Sequence, residues 1–160
     1  RRHTRYQSLS RGLGDVYKRQ ELNPNGAEAH IQLAFILCLS DETKLAIKMA
    51  KRAFRLNPIP LPHYYIILAM AYRNNRQYEK AIELSEKGLI DNPDQLSVYL
   101  TLAATYIYLN RTEEAQRATE EVLRIDPNFS IKYHAITMPY KRQETGERFI
   151  EALRKAGLPD

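Results

Sequence analysis

PHYYIILAMAYRNNRQYEKAIELSEKGLIDNP, residues 62–93, decides the fold. Its first half carries Tyr65, Leu68, Ala69 and Tyr72, its second half Ala81 and Gly88, and it closes on Asn92-Pro93. Moving outward from Pro93, an Asn-Pro or Asp-Pro pair preceded by apolar residues returns at Leu22-Asn23-Pro24, Leu56-Asn57-Pro58 and Ile125-Asp126-Pro127. The prolines at 24, 58, 93 and 127 are 34, 35 and 34 residues apart. A fixed period in this range means stacked structural repeats. Proline stops a helix and restricts the residue before it, so each unit ends at the same place for the same reason.

Registering the units on their prolines aligns the rest. An alanine stands twelve residues before each proline, at Ala46, Ala81 and Ala115, where paired helices are expected to approach closely. Seven residues further come Ala53, Gly88 and Val122. Earlier in each unit lie the pairs Leu33-Ala34, Leu68-Ala69 and Leu102-Ala103, followed by Leu37, Tyr72 and Tyr106. Tyr65 and Tyr99 open two of the units, and His30 fills that slot in the first. Each unit therefore reads as a helix, a short turn and an antiparallel helix. Helices are expected over 27–39 and 43–56, 62–74 and 78–91, and 96–109 and 112–125. Asn110 is a left-handed turn candidate, and Ser40 and Asp41 are candidate caps for the second helix.

These residues match the pattern of tetratricopeptide repeats, and the chain resembles that family over three units, 27–58, 62–93 and 96–127. The match departs from the pattern at His30, where a large aromatic is usual, and at Val122, where a small residue is. The resemblance implies an all-α fold, an α-solenoid of about three helical hairpins. Residues 129–160 are expected to form a capping region: a short apolar helix or turn over 129–139, then a helix near 144–156 with Phe149, Ile150 and Leu153 on one face. Such a cap covers the last hairpin, as a solenoid needs. The segments around Asn128-Phe129-Ser130, Met138-Pro139-Tyr140-Lys141 and Leu153–Pro159 also resemble the C-terminal end of bacterial regulators in which a nucleotide cyclase or winged-helix domain precedes the repeats. That implies an effector domain in the parent protein, and a cis-regulatory or sensor role for this part.

Charge and composition narrow the function. The net charge of +5 comes from residues 1–20, which hold six Lys or Arg against Asp15; the remainder balances eighteen bases with eighteen acids. No basic stripe for phosphates is expected on the folded body, hence no nucleic-acid partner. Residues 1–20, with two glycines and no apolar period, are expected to be disordered or non-native and to hold no core role. No apolar run approaches the ~18 residues of a membrane span, and no signal peptide is visible. Cys38 is the single cysteine, so no internal disulfide forms. A reducing, cytoplasmic setting is expected, although a cysteine-poor secreted chain has the same count.

No catalytic constellation emerges. His3, His30, His63 and His134 lack metal-ligand spacing, Cys38 and His30 read as packing residues, and Glu113-Glu114 and Glu120-Glu121 read as surface charges. No phosphate loop or Gly-x-Ser-x-Gly setting occurs. A non-enzymatic, cofactor-free scaffold for a protein or peptide partner is the expectation. The family resemblance implies that repeat positions 2, 5, 9, 12 and 13 line the concave groove. Here these are Glu28, Ile31, Phe35, Cys38 and Leu39; His63, Ile66, Met70, Arg73 and Asn74; Ser97, Leu100, Ala104, Ile107 and Tyr108. A clamp for an acidic chain terminus would place Lys and Asn where Ile31 and Phe35 stand. The apolar members fit an amphipathic helix, unless they pack against neighbouring helices or upstream repeats cover them. Phe35 and Met70 are expected to be partly exposed, with Ile66 between them.

Overall fold

The computed structural model describes residues 26–138, 140 and 143–160. The expectations for residues 1–20, the Asn23-Pro24 pair, Pro139 and Lys141 fall outside them. The described residues form eight α-helices and no strand: α1 Ala27–Leu39, α2 Thr43–Leu56, α3 Pro62–Asn74, α4 Tyr78–Ile90, α5 Leu96–Tyr108, α6 Thr112–Ile125, α7 Ile131–Thr137 and α8 Gln143–Lys155. α4 and α5 each end one residue before the expected bound, and α8 starts and ends one residue early. The fold is an all-α solenoid of helical hairpins.

The repeat boundary is built by the residue before the proline. Asn57 and Asp126 are extended, with φ −126° and −130°, as the clash with the proline ring requires. Their side-chain oxygens accept the backbone N–H two residues on, from Ile59 at 3.2 Å and Asn128 at 3.1 Å. Asn and Asp are favoured at such turns for this bond. Pro62 then opens α3 in its first turn, where its missing N–H costs nothing.

Within each repeat the turn is a left-handed residue closed by paired carbonyl bonds. Asp41, Arg76 and Asn110 have φ of 64°, 58° and 58°. The next residue's N–H reaches five residues back, from Glu42 to Leu37, Gln77 to Tyr72 and Arg111 to Tyr106, each at 2.9 Å. This satisfies carbonyls that a helix end leaves orphaned. The expected left-handed Asn110 is observed. The expected side-chain capping of α2 is not: Glu42 occupies the N-cap, no side chain bonds there, and the Ser40 hydroxyl is buried without a partner. The backbone motif ending α1 uses residues 40–42, so their side chains are not aimed at the start of α2.

Ala46, Ala81 and Ala115 are fully buried, as are Ala53, Val122 and the small members Ala34, Ala69 and Ala103. Gly88 explains the small-residue position. A Cβ there would lie 3.5 Å from that of Tyr65 and 3.7 Å from Ile66, so α4 crosses α3 at contact distance. Tyr72 and Tyr106 are buried, while Tyr65 and Tyr99 are only half-buried. First helices of successive repeats pack on each other, α1 on α3 and α3 on α5; their second helices form no comparable contact, which puts α1, α3 and α5 on the inner side. The C-terminal part closes the stack. Phe149, Ala152, Leu153, Ala156 and Leu158 join one cluster with Ala115, Ala118 and Val122, and the Ile131 N–H donates to the Pro159 carbonyl at 2.9 Å.

Candidate partner-binding face

Six of the twelve candidate groove residues are buried: Ile31, Leu39, Met70, Arg73, Leu100 and Ala104. The expected exposure of Met70 is corrected by the structure, where it is 7% exposed among Leu33, Leu37, Cys38, Ala46 and Ala71. Ile31 lies with Ala34, Ala50, Ala53 and Tyr64. Leu100 and Ala104 share a cluster with Phe149, Ala152 and Leu153, because α8 packs against α5. Repeat spacing says which way a side chain points from its helix. It does not say how near the next helix lies.

The other six are half-buried: Phe35, His63, Ile66, Asn74, Ile107 and Tyr108. All six are engaged by the chain itself, Ile66 by packing against the same cluster as Ile107. Asn74 clips α3 to α1, donating from Nδ2 to the Cys38 carbonyl at 3.3 Å. The Tyr108 hydroxyl donates to the Arg148 carbonyl at 3.2 Å, and the Arg148 guanidinium lies 4.4 Å from the centre of the Tyr108 ring. Arg148 also donates to the Tyr78 hydroxyl. Ile107 packs against the cluster that contains α8.

Arg73 is the centre of this closed end. It is 2% exposed, and no carboxylate among the described residues pairs with it. Its guanidinium lies 4.0 Å from the Phe149 ring centre. It donates to Asn74 Oδ1 from Nε at 3.2 Å and Nη2 at 3.0 Å, and reaches Thr101 Oγ1 and Tyr140 Oη at 3.5 Å. A desolvated cation on an aromatic face gains about 2 kcal/mol, which offsets part of the burial cost. Burial pushes the Cys38 thiol up to about 12, against the opposing pull of the Arg73 charge. Burial, then the same charge, hold the His134 imidazole below its ordinary value.

What stays exposed or half-buried is Glu28, His63, Ile66 and Ser97 near the starts of the inner helices, and Phe35 in the third turn of α1. The Glu28 carboxylate gathers Gln32 Nε2 at 3.1 Å, Tyr64 Oη at 3.4 Å and His63 Nε2 at 3.2 Å, linking α1 to α3. Phe35 packs against the cluster that holds Met70. His30 is buried, with Nδ1 2.9 Å from the Gly26 carbonyl. The acid pairs sit on the outer helices, with Glu114 bridged to Arg111 at 2.7 Å and Glu121 to Arg124 at 2.8 Å. Among the described residues no three His, Cys, Asp or Glu come together in a metal-binding group, and no helix is long and apolar enough to cross a membrane. The sequence did not reveal the α8 contact on Arg73. Its only trace is the Arg148-Phe149 pair, which has no counterpart in the repeats.

Stacked helical hairpins with an inner row of first helices define a repeat solenoid, a class whose chemistry is recognition. The profile described as "Tetratricopeptide repeat" matches residues 73–137, from the end of α3 to the end of α7. The chain is 23% identical over 112 residues to the TPR repeat-containing protein YpiA of Bacillus subtilis, covering 70% of this chain and 26% of that protein. The solved structure of the APC/C hetero-tetramer Cut9-Hcn1 superposes with a TM-score of 0.74 at 17% identity, over 98% of this chain and 28% of that one. YrrB, described as a TPR protein with an unusual peptide-binding site, gives a TM-score of 0.61 at 19% identity, over 94% and 77%. At these identities the structures establish the fold. The chain spans about a quarter or less of the curated relatives it matches, from 12% to 26% of their length. Tetratricopeptide-repeat proteins as a class bind protein or peptide partners.

Proposed function

We propose that this module is a non-catalytic scaffold that binds a partner polypeptide along the open part of its inner face, at Glu28, Phe35, His63 and Ile66. One observation carries the reading: α8 and its flanks occupy the Arg73–Tyr108 end of that face, while the Glu28–His63 pair and the Phe35 and Ile66 side chains on α1 and α3 keep part of their surface exposed. An apolar side chain flanked by a hydrogen-bonding pair is the composition that fixes both affinity and register of a bound helix or peptide. The tail resemblance supports a place within a larger bacterial signalling protein, beside an effector domain. The buried, unpaired Cys38 thiol supports a reducing, cytoplasmic setting.

Replacing Ile66 by a photo-crosslinking phenylalanine analogue in the full-length parent tests this. A polypeptide adduct at position 66, absent when the analogue replaces Arg117 on the outer helix α6, is expected. Identical adducts at both positions, or none at 66 while the protein remains folded, would overturn it.

A further inference from the structure

The balance of eighteen acids and eighteen bases beyond residue 20 hides a separation of charge along the outer helices. α2 carries Lys44, Lys48, Lys51, Arg52 and Arg55 and no acid. In contrast, α4 carries three acids and two bases, and α6 four acids and two bases. All five α2 cations are exposed, and among the described residues none forms an ion pair or hydrogen bond. The spacing 44, 48, 51, 55 is that of one helix face, with Arg52 beside it; the row is about 17 Å long at the α-helical rise. Ala46, Ala50 and Ala53 bury the opposite face. Like charges three or four residues apart each cost a few tenths of a kcal/mol. On α4, by contrast, such a position is also filled by an opposite charge, as in Glu83–Lys87 at 2.6 Å.

We propose that this outward face of α2 is a docking strip for an acidic segment of another polypeptide, one no wider than a single helix. The neighbouring charges set the width. Lys51 and Lys80 lie 5.9 and 5.4 Å from the centre of the same Tyr72 ring, so Lys80 adjoins the strip at the seam with α4, and the acids Glu79, Glu83 and Glu86 of α4 follow beyond it. A nucleic-acid duplex or a lipid surface is broader than the about 10–12 Å of one helix. Either would carry its negative charge onto Glu79, Glu83 and Glu86 of α4. Single-stranded nucleic acid needs exposed aromatic platforms. The one aromatic of α2, Phe54, instead turns its ring onto Tyr64 and Tyr65, at 5.9 and 5.2 Å. A carboxylate-bearing helix or extended segment meets the row without either penalty. The strip lies on an outer helix and Ile66 on an inner one, so it stands or falls independently of the inner-face reading.

The test is fluorescence anisotropy of the whole chain with a labelled Glu/Ala helical peptide of about twenty residues, beside an oligo-dT of equal length and phosphatidylserine/phosphatidylcholine vesicles. The peptide is expected to bind at low salt, to weaken about tenfold when salt is raised to about 0.3 M, and to lose about tenfold in affinity with Lys48→Glu/Arg52→Glu. Arg117→Glu on α6 should leave binding unchanged. All these positions are exposed, and circular dichroism should show native helix in each variant. Undiminished binding by the folded double variant, no binding at low salt, or preference for oligo-dT or vesicles over the peptide would each overturn the proposal.

Discussion

Met70→Glu places a carboxylate in the cluster formed by Leu33, Leu37, Cys38, Ala46 and Ala71, where Met70 is 7% exposed. Losing the buried thioether and its terminal methyl removes about 1.5–3 kcal/mol of transfer free energy. A buried polar group without partners costs a further 1–3 kcal/mol or so. Arg73, three residues on along α3, is already committed to Asn74 and the Phe149 ring. A loss of about 3–5 kcal/mol at pH 7 is therefore expected, a large share of the 5–15 kcal/mol typical of a domain. Because burial raises the folded-state pKa of the new glutamate, the ionic part of the penalty is absent below its unfolded value of about 4.3 and grows as pH rises through the folded value. Urea melts followed by circular dichroism should show the midpoint falling by about 2–3 M at pH 7 and by less near pH 4. Met70→Leu, which keeps the volume, should cost under about 1.5 kcal/mol. If Met70→Glu stays within about 0.5 kcal/mol of the parent at pH 7, Met70 lies on an open surface, and the inner face is the continuous apolar groove that repeat spacing alone implies.

Cys38 should resist alkylation in the native state and react only on unfolding. Burial holds its thiol at about 12 against an ordinary 9.0, so this residue's contribution to stability is full below pH 9.0 and declines as pH rises from there toward 12; Cys38→Ala should flatten that alkaline slope. Ala81→Leu and Ala115→Leu each add three heavy atoms to a fully buried helix crossing and should cost about 1–3 kcal/mol in thermal or urea melts; neutrality at both would refute the repeat register. Gly157 ends α8 at φ 101° with open space around its missing Cβ, so Gly157→Ala should cost about 1–2 kcal/mol through the backbone alone.

The periodic part of the fold was legible because it repeats the same physical event. Pro58, Pro93 and Pro127 stop helices, Asn57 and Asp126 close the turn after them, and Ala46, Ala81 and Ala115 stand wherever two helices touch. Asn110 was legible as a left-handed residue because asparagine tolerates that conformation. Arg76 was not, because nothing in its side chain favours φ 58°; the carbonyl bonds around it impose the angle. Of the twelve candidate residues, Phe35, His63, Ile66, Asn74, Ile107 and Tyr108 are half-buried and the other six buried. The reason is tertiary: distances between successive first helices, and the placement of a non-repeating helix, leave no periodic mark.

The same distinction explains the two faces. A sum over the chain treats the acids of α6 and the bases of α2 as if they cancelled, yet they stand on different repeats. At physiological salt the screening length is about 8 Å. The row on α2 is about 17 Å long by its helical rise, so acids on a distant repeat do little to neutralise it. Charge read one helix at a time therefore predicts a local field that charge read over the whole chain denies. The inner face gives the converse case. Its apolar content is real in sequence, but α8 and the neighbouring first helices consume most of it, and Arg73 shows the cost: a guanidinium buried without a carboxylate, held by an aromatic ring and an amide. Phe149→Ala would remove that ring. The loss should exceed the 3–5 kcal/mol usual for Phe→Ala, because the charge beneath it would lose its main compensation as well. Arg73→Met/Phe149→Ala should then be less damaging than the two single losses summed. A double-mutant cycle showing strict additivity would mean that Arg73 and Phe149 are neighbours without being partners.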